Sequence, residues 1–225
     1  MDIYIIIVAG GRGTRMGGVI PKQFLYLHSR PILMRTIDAF VKYAQEAHYI
    51  VVLPEDQHTY WQRLCEKHAF TLPHHVVSGG ANRFESVKNA LSLVPDTKQA
   101  VVVVHDGVRP LVSQQLIRRC INEAANSRRC VVPVVELTDS VRQLEGEVSY
   151  PVDRSHLRLV QTPQAFPADI LKHAYRLPYS PVFTDDASVV EAAGGSITLV
   201  TGEQCNIKIT HPDDMLVAQA IFRTK

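Results

Sequence analysis

Val8-Ala9-Gly10-Gly11-Arg12-Gly13-Thr14-Arg15-Met16-Gly17-Gly18, followed closely by Pro21-Lys22-Gln23, is the stretch around which this chain is organised. The apolar run from Ile3 to Ala9 predicts a buried strand, and it empties into a turn with five glycines and two arginines, with Lys22 just beyond. That composition suits a phosphate. Glycines let backbone N–H groups approach an anion closely, and Arg12, Arg15 and Lys22 supply the charge that a polyphosphate needs.

Spacing excludes two familiar phosphate loops. A Walker A loop ends in Gly-Lys-Ser/Thr, and the sequence holds no Gly-Lys pair. A dinucleotide fingerprint needs Gly-x-Gly-x-x-Gly, but after Gly11 and Gly13 the third position is Met16. The Gly-x-Gly-x-Arg-Met pattern with a Pro-Lys soon after is instead similar to the signature loop of sugar-nucleotide and polyol-phosphate nucleotidyltransferases.

The 225 residues are enough for one α/β domain with a substantial core, and a formal charge of +2 is too small to point to nucleic acid or an anionic membrane as partner. Cys65, Cys120, Cys130 and Cys205 are scattered, without C-x-x-C pairs or Cys/His ligand spacing, and read as core thiols. No run approaches the roughly twenty apolar residues of a transmembrane helix, and the N-terminus leaves no room for a cleaved signal. A cytoplasmic protein is expected.

Working outward from the loop, Pro31 opens a helix with apolar positions Ile32, Leu33, Ile37, Phe40 and Val41. His48 to Leu53 predicts a strand, and Asp56 to His68 a helix in which Trp61 packs. His74 to Val77 is a short strand; its histidines point to opposite faces and make a poor metal site. A second glycine turn, Ser78-Gly79-Gly80-Ala81-Asn82-Arg83, leads into a helix capped by Asn82. The β-branched run Val101 to Val104 predicts a central parallel strand, ending in His105-Asp106-Gly107-Val108-Arg109-Pro110. A helix from Ser113 to Asn126 and a strand from Cys130 to Val135 continue the alternation. The expected fold is α/β: a doubly wound, mostly parallel, Rossmann-like sheet whose ligands sit beyond the carboxyl ends of the strands.

Between Glu136 and Leu159 apolar residues become sparse, which predicts a protruding β-arm with a turn at Glu145-Gly146-Glu147. Too poor in apolar residues for a core of its own, the arm at about 136–159 should lie on a second copy of a single-domain subunit spanning 1–225. Strands at Leu157–Gln161, Ile197–Val200 and Asn206–Ile209 and helices opened by Pro167, Asp185-Asp186 and Pro212 complete the chain. Asp185 and Asp186 read as the cap and charge of a helix N-terminus.

The glycine loop with Pro21-Lys22-Gln23-Phe24, His105 to Pro110, Thr162-Pro163-Gln164 and Asn206-Ile207-Lys208-Ile209-Thr210 together closely resemble the 2-C-methyl-D-erythritol 4-phosphate cytidylyltransferase family. The resemblance covers nearly the whole chain. It implies a homodimer that joins CTP to the polyol phosphate with magnesium, releasing pyrophosphate. Ala9, Gly10, Gly11 and Gly13 would wrap the triphosphate, with Arg15 and Lys22 as catalytic cations. Gly80, Arg83 and Ser86 would lie by the base, and Asp106 would hold Mg2+. Arg109, Thr162, Thr184 and Lys208 would meet the second substrate, aided by Thr138 and Arg154 from a partner's arm. The sequence departs from the family at Gly10, Gly107 and Val108, where alanines are common, and at Cys205, where some members carry an acid.

The chemistry agrees with this residue set. The nucleophile is a phosphate monoester, already largely deprotonated near neutral pH because its second pKa is about 6, so no general base is required. The obstacle is joining two anions, and fixed cations answer it. No Ser-His-Asp or Cys-His set is needed, and histidines other than His105 read as surface or core groups. Two alternatives remain at this level: ribitol-5-phosphate cytidylyltransferase, which shares the loop, Pro-Lys-Gln-Phe and Thr-Pro-Gln patterns, and a non-catalytic CTP-binding module.

Overall fold

Strand β1 (Asp2–Val8) lies between two parallel neighbours, β4 (His48–Leu53) and β6 (Ala100–Asp106), with Val8 level with both Val52 and Asp106. Ile5, Ile6 and Ile7 are all fully buried. Consecutive rather than alternate burial is what a strand covered on both faces requires. Ile5 and Ile7 join Val101 and Val103 beneath α1 (Ile32–Val41) and α4 (Gln114–Ser127). Ile6 joins Val102 and Val104 on the opposite face, under α3 (Arg83–Leu91) and α5 (Ala168–Ala174). The period-two geometry of the strands thus sorts one apolar run into two cores.

The computed structural model describes residues 1–11 and 20–223. Two short antiparallel strands, β2 (Tyr26–Leu27) and β3 (Arg30–Pro31), precede α1, and α2 (His58–Lys67) leads to the edge strand β5 (His74–Ser78), parallel to β4. Trp61 is buried in the first core, as packing demands. On the other side of β6 the order departs from simple winding. Strand β7 (Cys130–Glu136) follows α4 in the chain, yet β11 (Gln164–Pro167) lies antiparallel between it and β6. Along the same side of β7 runs the antiparallel β10 (Arg158–Val160), and β12 (Ile197–Thr201) closes the sheet in parallel on the other. The sheet is therefore mostly parallel, as expected, with two antiparallel strands, β11 and β10.

The arm is a hairpin of β8 (Val141–Glu145) and β9 (Val148–Val152), turned at Gly146 with φ +60°. No side chain from Glu136 to Val160 is buried. Helices α6 (Asp186–Ala192) and α7 (Pro212–Arg223) fill the remaining flanks.

Three expectations change. Asn206–Ile209 is not a strand: one main-chain bond, from the Ile209 N–H to the Val108 carbonyl (3.0 Å), replaces a ladder. Asp186 is not merely a helix-end charge, being fully buried in an ion pair, while Asp185 is the cap and accepts from the Ser188 N–H. Of the cysteines, Cys120 and Cys130 are core thiols, whereas Cys65 and Cys205 are half-buried. Among the described residues no helix is long and apolar enough to cross a membrane.

Candidate active site

Because β1, β4 and β6 end level with one another, the turns that leave them share one edge of the sheet. The Ala9 N–H donates to the Val52 carbonyl (2.9 Å), the Gly107 N–H to that of Val8 (2.8 Å) and the Gly79 N–H to that of Leu53 (2.8 Å). Gly107 has no room for a side chain: a Cβ there would stand 2.9 Å from the Ala9 Cβ and 3.0 Å from Leu33 Cδ1. Small residues at 9 and 107 let the two functional turns pack side by side.

Lys22 sits on a 3-10 turn, Lys22–Phe24, whose Gln23 is buried beneath it. The Gln23 amide donates to the Ala9 carbonyl (3.0 Å) and to Gln57 Oε1 (2.7 Å), so the end of β1 and the lysine are tied to the same scaffold. Across the cleft, Ser86 Oγ accepts from the Gly80 N–H (3.1 Å) and donates to the Asn82 carbonyl (2.8 Å). The Ala81 N–H bonds to Glu85 (2.8 Å), and a Cβ on Gly80 would overlap Glu85 at 2.2 Å. The second glycine turn is thereby fixed onto the first turn of α3. Gly13 and Arg15 lie outside the described residues.

Asp106, 6% exposed, ends β6. Its Oδ2 meets Arg109 Nε at 3.0 Å and Lys208 Nζ at 3.2 Å. Burial alone would raise this carboxyl's pKa, but Lys208, Arg83 and Arg109 outweigh it and hold the group well below the usual carboxylate range. It is ionised at every physiological pH. Arg109 also donates to the Asn206 carbonyl (2.8 Å), which anchors the extended segment that carries Lys208.

Two cavities meet here. One, about 340 Å³, is lined by Ala9, Gly10, Gly11, Lys22, Gly80, Arg83 and Ser86. The other, about 580 Å³, takes in Arg109, Thr162, Gln164 and Thr184. Asp106, Lys208 and Arg83 line both and form the wall between them. Nearly all the residues expected to serve the nucleotide therefore face one chamber, and those for a second substrate the other. Thr138 and Arg154 line neither; Arg154 Nη1 donates to the Thr138 carbonyl within the arm.

Arg83 is less free than its sequence position suggests. Its two terminal nitrogens hold the Asp186 carboxylate at 2.9 and 2.6 Å, and the Tyr175 hydroxyl donates to the same carboxylate at 2.6 Å. Gln23, Asp186 and Asn206, which the sequence placed in motifs or at a helix end without a role in the site, are all buried polar groups that position it. The adjacency of Gln23 to Lys22 and of Asn206 to Lys208 was the available signal. Nothing in the sequence tied Asp186 to Arg83, which lies far away in the chain.

Opposed cations around an ionised carboxylate, placed where two chambers join, suit the transfer of a nucleotidyl group from one phosphate to another. Fold and site together define a nucleotidyltransferase. The profile of the 2-C-methyl-D-erythritol 4-phosphate cytidylyltransferase (IspD) family matches residues 3–224, and the chain belongs to that family. The cytidylyltransferase of that name from Bacteroides fragilis is 50% identical over 217 residues, covering 96% of this chain and 98% of the relative. That from Phocaeicola vulgatus is 48% identical, over 99% of this chain and all of the relative. The crystal structure of the same enzyme from Thermus thermophilus superposes with a TM-score of 0.78 at 32% identity, covering 99% of this chain.

Proposed function

We propose that this chain joins CTP to 2-C-methyl-D-erythritol 4-phosphate. A phosphate oxygen of the polyol substrate attacks the α-phosphorus of CTP, the bond to the β-phosphate breaks, and 4-diphosphocytidyl-2-C-methyl-D-erythritol and pyrophosphate leave. The observation that carries this reading is the shared wall: Asp106, Lys208 and Arg83 belong to both cavities, so substrates in the two chambers meet there.

In this reading Ala9, Gly10, Gly11 and Gly13 hold the triphosphate, and Arg15 and Lys22 neutralise charge as it moves toward pyrophosphate. Gly80 and Ser86 shape the base site, with Arg83 fixed beside them. Arg109, Thr162, Thr184 and Lys208 line the polyol phosphate chamber. Removing one such charge-stabilising donor costs about 10²–10³ in kcat, so Lys22→Ala should lower turnover by that factor while CTP still binds.

Magnesium fits the donor set. Arg109 and Lys208 both contact Oδ2 of Asp106, and one carboxylate with phosphate oxygens is a common Mg2+ arrangement. Among the described residues no group of three or more His, Cys, Asp or Glu offers a richer site. Bound there, the ion would neutralise the α-phosphate.

The chain acts as a homodimer in the cytoplasm, Thr138 and Arg154 reaching a partner's second chamber. An arm without a buried side chain supports this assembly. The test is a substrate panel: the protein with CTP, Mg2+ and either polyol phosphate, followed by pyrophosphate release. Faster release with ribitol 5-phosphate would overturn the substrate assignment, and no release with either would leave a CTP-binding module.

A further inference from the structure

His105 takes no part in the reaction as described, yet it is fully buried one residue from Asp106. Its ring packs edge-on against Phe40, with centroids 4.9 Å apart. Three contacts settle where its protons lie. The Asp106 N–H points at Thr162 Oγ1 (3.1 Å), so that oxygen accepts. Thr162 Oγ1 also lies 2.9 Å from His105 Nδ1, and His105 Nε2 lies 3.2 Å from the Arg109 carbonyl. A carbonyl only accepts, so Nε2 bears the ring proton. In the neutral ring that burial favours, Nδ1 is then bare and takes the single proton of the threonine hydroxyl.

The chain of donors therefore runs from the Asp106 N–H to Thr162, from Thr162 to His105, and from His105 to the Arg109 carbonyl. A second path closes it: the Asn206 amide donates to the Thr162 carbonyl (2.8 Å), Arg109 Nη1 to the Asn206 carbonyl (2.8 Å), and Arg109 Nε to Asp106 (3.0 Å). Each end of the Asp106–Arg109 turn is thus held both through main chain and through side chain.

We infer that His105 is a positioning residue, which by taking the Thr162 proton locks the Asp106–Arg109 turn at the junction of the two chambers. Thr162 then offers a substrate a lone pair but no proton. It does not donate to the incoming phosphate, whose contacts fall to Arg109 and Lys208. This rests on the proposed cytidylyl transfer, since Asp106 and Arg109 are the groups being aligned.

A double-mutant cycle tests it. Thr162→Val keeps the shape and removes both bonds; Thr162→Ser keeps the hydroxyl. His105→Gln keeps an amide donor for the Arg109 carbonyl and takes away the ring nitrogen Nδ1 that faces Thr162, its remaining acceptor lying elsewhere on the amide. Misplacing reacting groups by about 1 Å costs on the order of 10²-fold in rate, so Thr162→Val should lower kcat by tenfold or more, on the order of that penalty, with KM for the polyol phosphate nearly unchanged. Thr162→Ser should restore most of the rate. The double variant Thr162→Val with His105→Gln should be no slower than Thr162→Val alone, because the Thr162–His105 bond that His105→Gln breaks is already gone in Thr162→Val. Effects that multiply, or a KM increase that accounts for the loss, would overturn the inference and make Thr162 a direct ligand. CTP affinity, measured for each variant, separates misfolding from misalignment. Absence of turnover in the unsubstituted protein would instead overturn the proposed function. If His105→Gln fails to fold, the Val and Ser pair at 162 still decides through the split between kcat and KM.

Discussion

Arg83 and Asp186 grip one another through two bonds, at 2.9 and 2.6 Å, across the helices α3 and α6, whose strands lie on either side of β6. The carboxylate is completely buried, and the guanidinium nitrogens supply most of what water would have given it. Deleting one member of such a pair is expected to cost about 3–5 kcal/mol, because the other charge stays buried and unpaired. Arg83→Ala should therefore lower the urea midpoint strongly with an unchanged slope. A variant that loses CTP affinity tenfold at an unaltered midpoint would show Arg83 to be a nucleotide ligand and not a strut.

Gly107→Ala tests the close approach of the two functional turns. Its Cβ would meet the Ala9 Cβ at 2.9 Å, Leu33 Cδ1 at 3.0 Å and the Val8 carbonyl at 3.3 Å. Leu33 can yield, but the other two belong to or adjoin the backbone of β1. Overpacking of this kind costs roughly 1–3 kcal/mol, and any relief must move Asp106 away from the glycine loop. The expected result is a lower melting temperature together with a fall in kcat larger than the change in CTP affinity.

Burial lowers the His105 pKa to about 4 from the ordinary 6.5. Between those values the unfolded chain binds a proton that the folded chain refuses. Stability contributed by the neutral ring is present in full above pH 6.5 and is lost as pH falls toward 4, amounting to about 3 kcal/mol at most. Asp106, held below its ordinary value, titrates under that window and adds nothing within it. Denaturant midpoints measured from pH 7 to 4.5 should fall for the unsubstituted protein. In His105→Gln the slope should be shallower; an identical slope would place the effect on other groups.

The limits of sequence reading here have physical causes. The winding through β1, β4 and β6 was legible because each is dominated by apolar residues, and the turn after β5 because it carries glycines and a helix cap, Asn82 accepting from the Glu85 N–H (2.9 Å). The antiparallel insertion of β11 was not, since Gln164 to Pro167 is only four residues long and strand direction leaves no mark in composition. Asp106 and Lys208 were recoverable from motifs, and the structure places them in contact. The partnership of Arg83 with Asp186 was hidden by distance along the chain. A charge beside a helix start looks the same in sequence whether it faces water or a buried arginine.

The arm carries the most direct test of assembly. Arg154 and Thr138 contact one another but line neither chamber of their own subunit, so their proposed target is a partner's site. Lys22→Ala and Arg154→Ala should each inactivate the homodimer. In a mixed dimer with shared sites, one site collects both lesions and the other has none. Random mixing in equal amounts makes half the dimers mixed, each with one intact site, so activity should recover to about a quarter of the unsubstituted level. If Arg154 served its own subunit, every site in the mixed dimer would carry one lesion. No recovery in mixed dimers verified by differential tagging would then move Arg154 back to the chain that bears it.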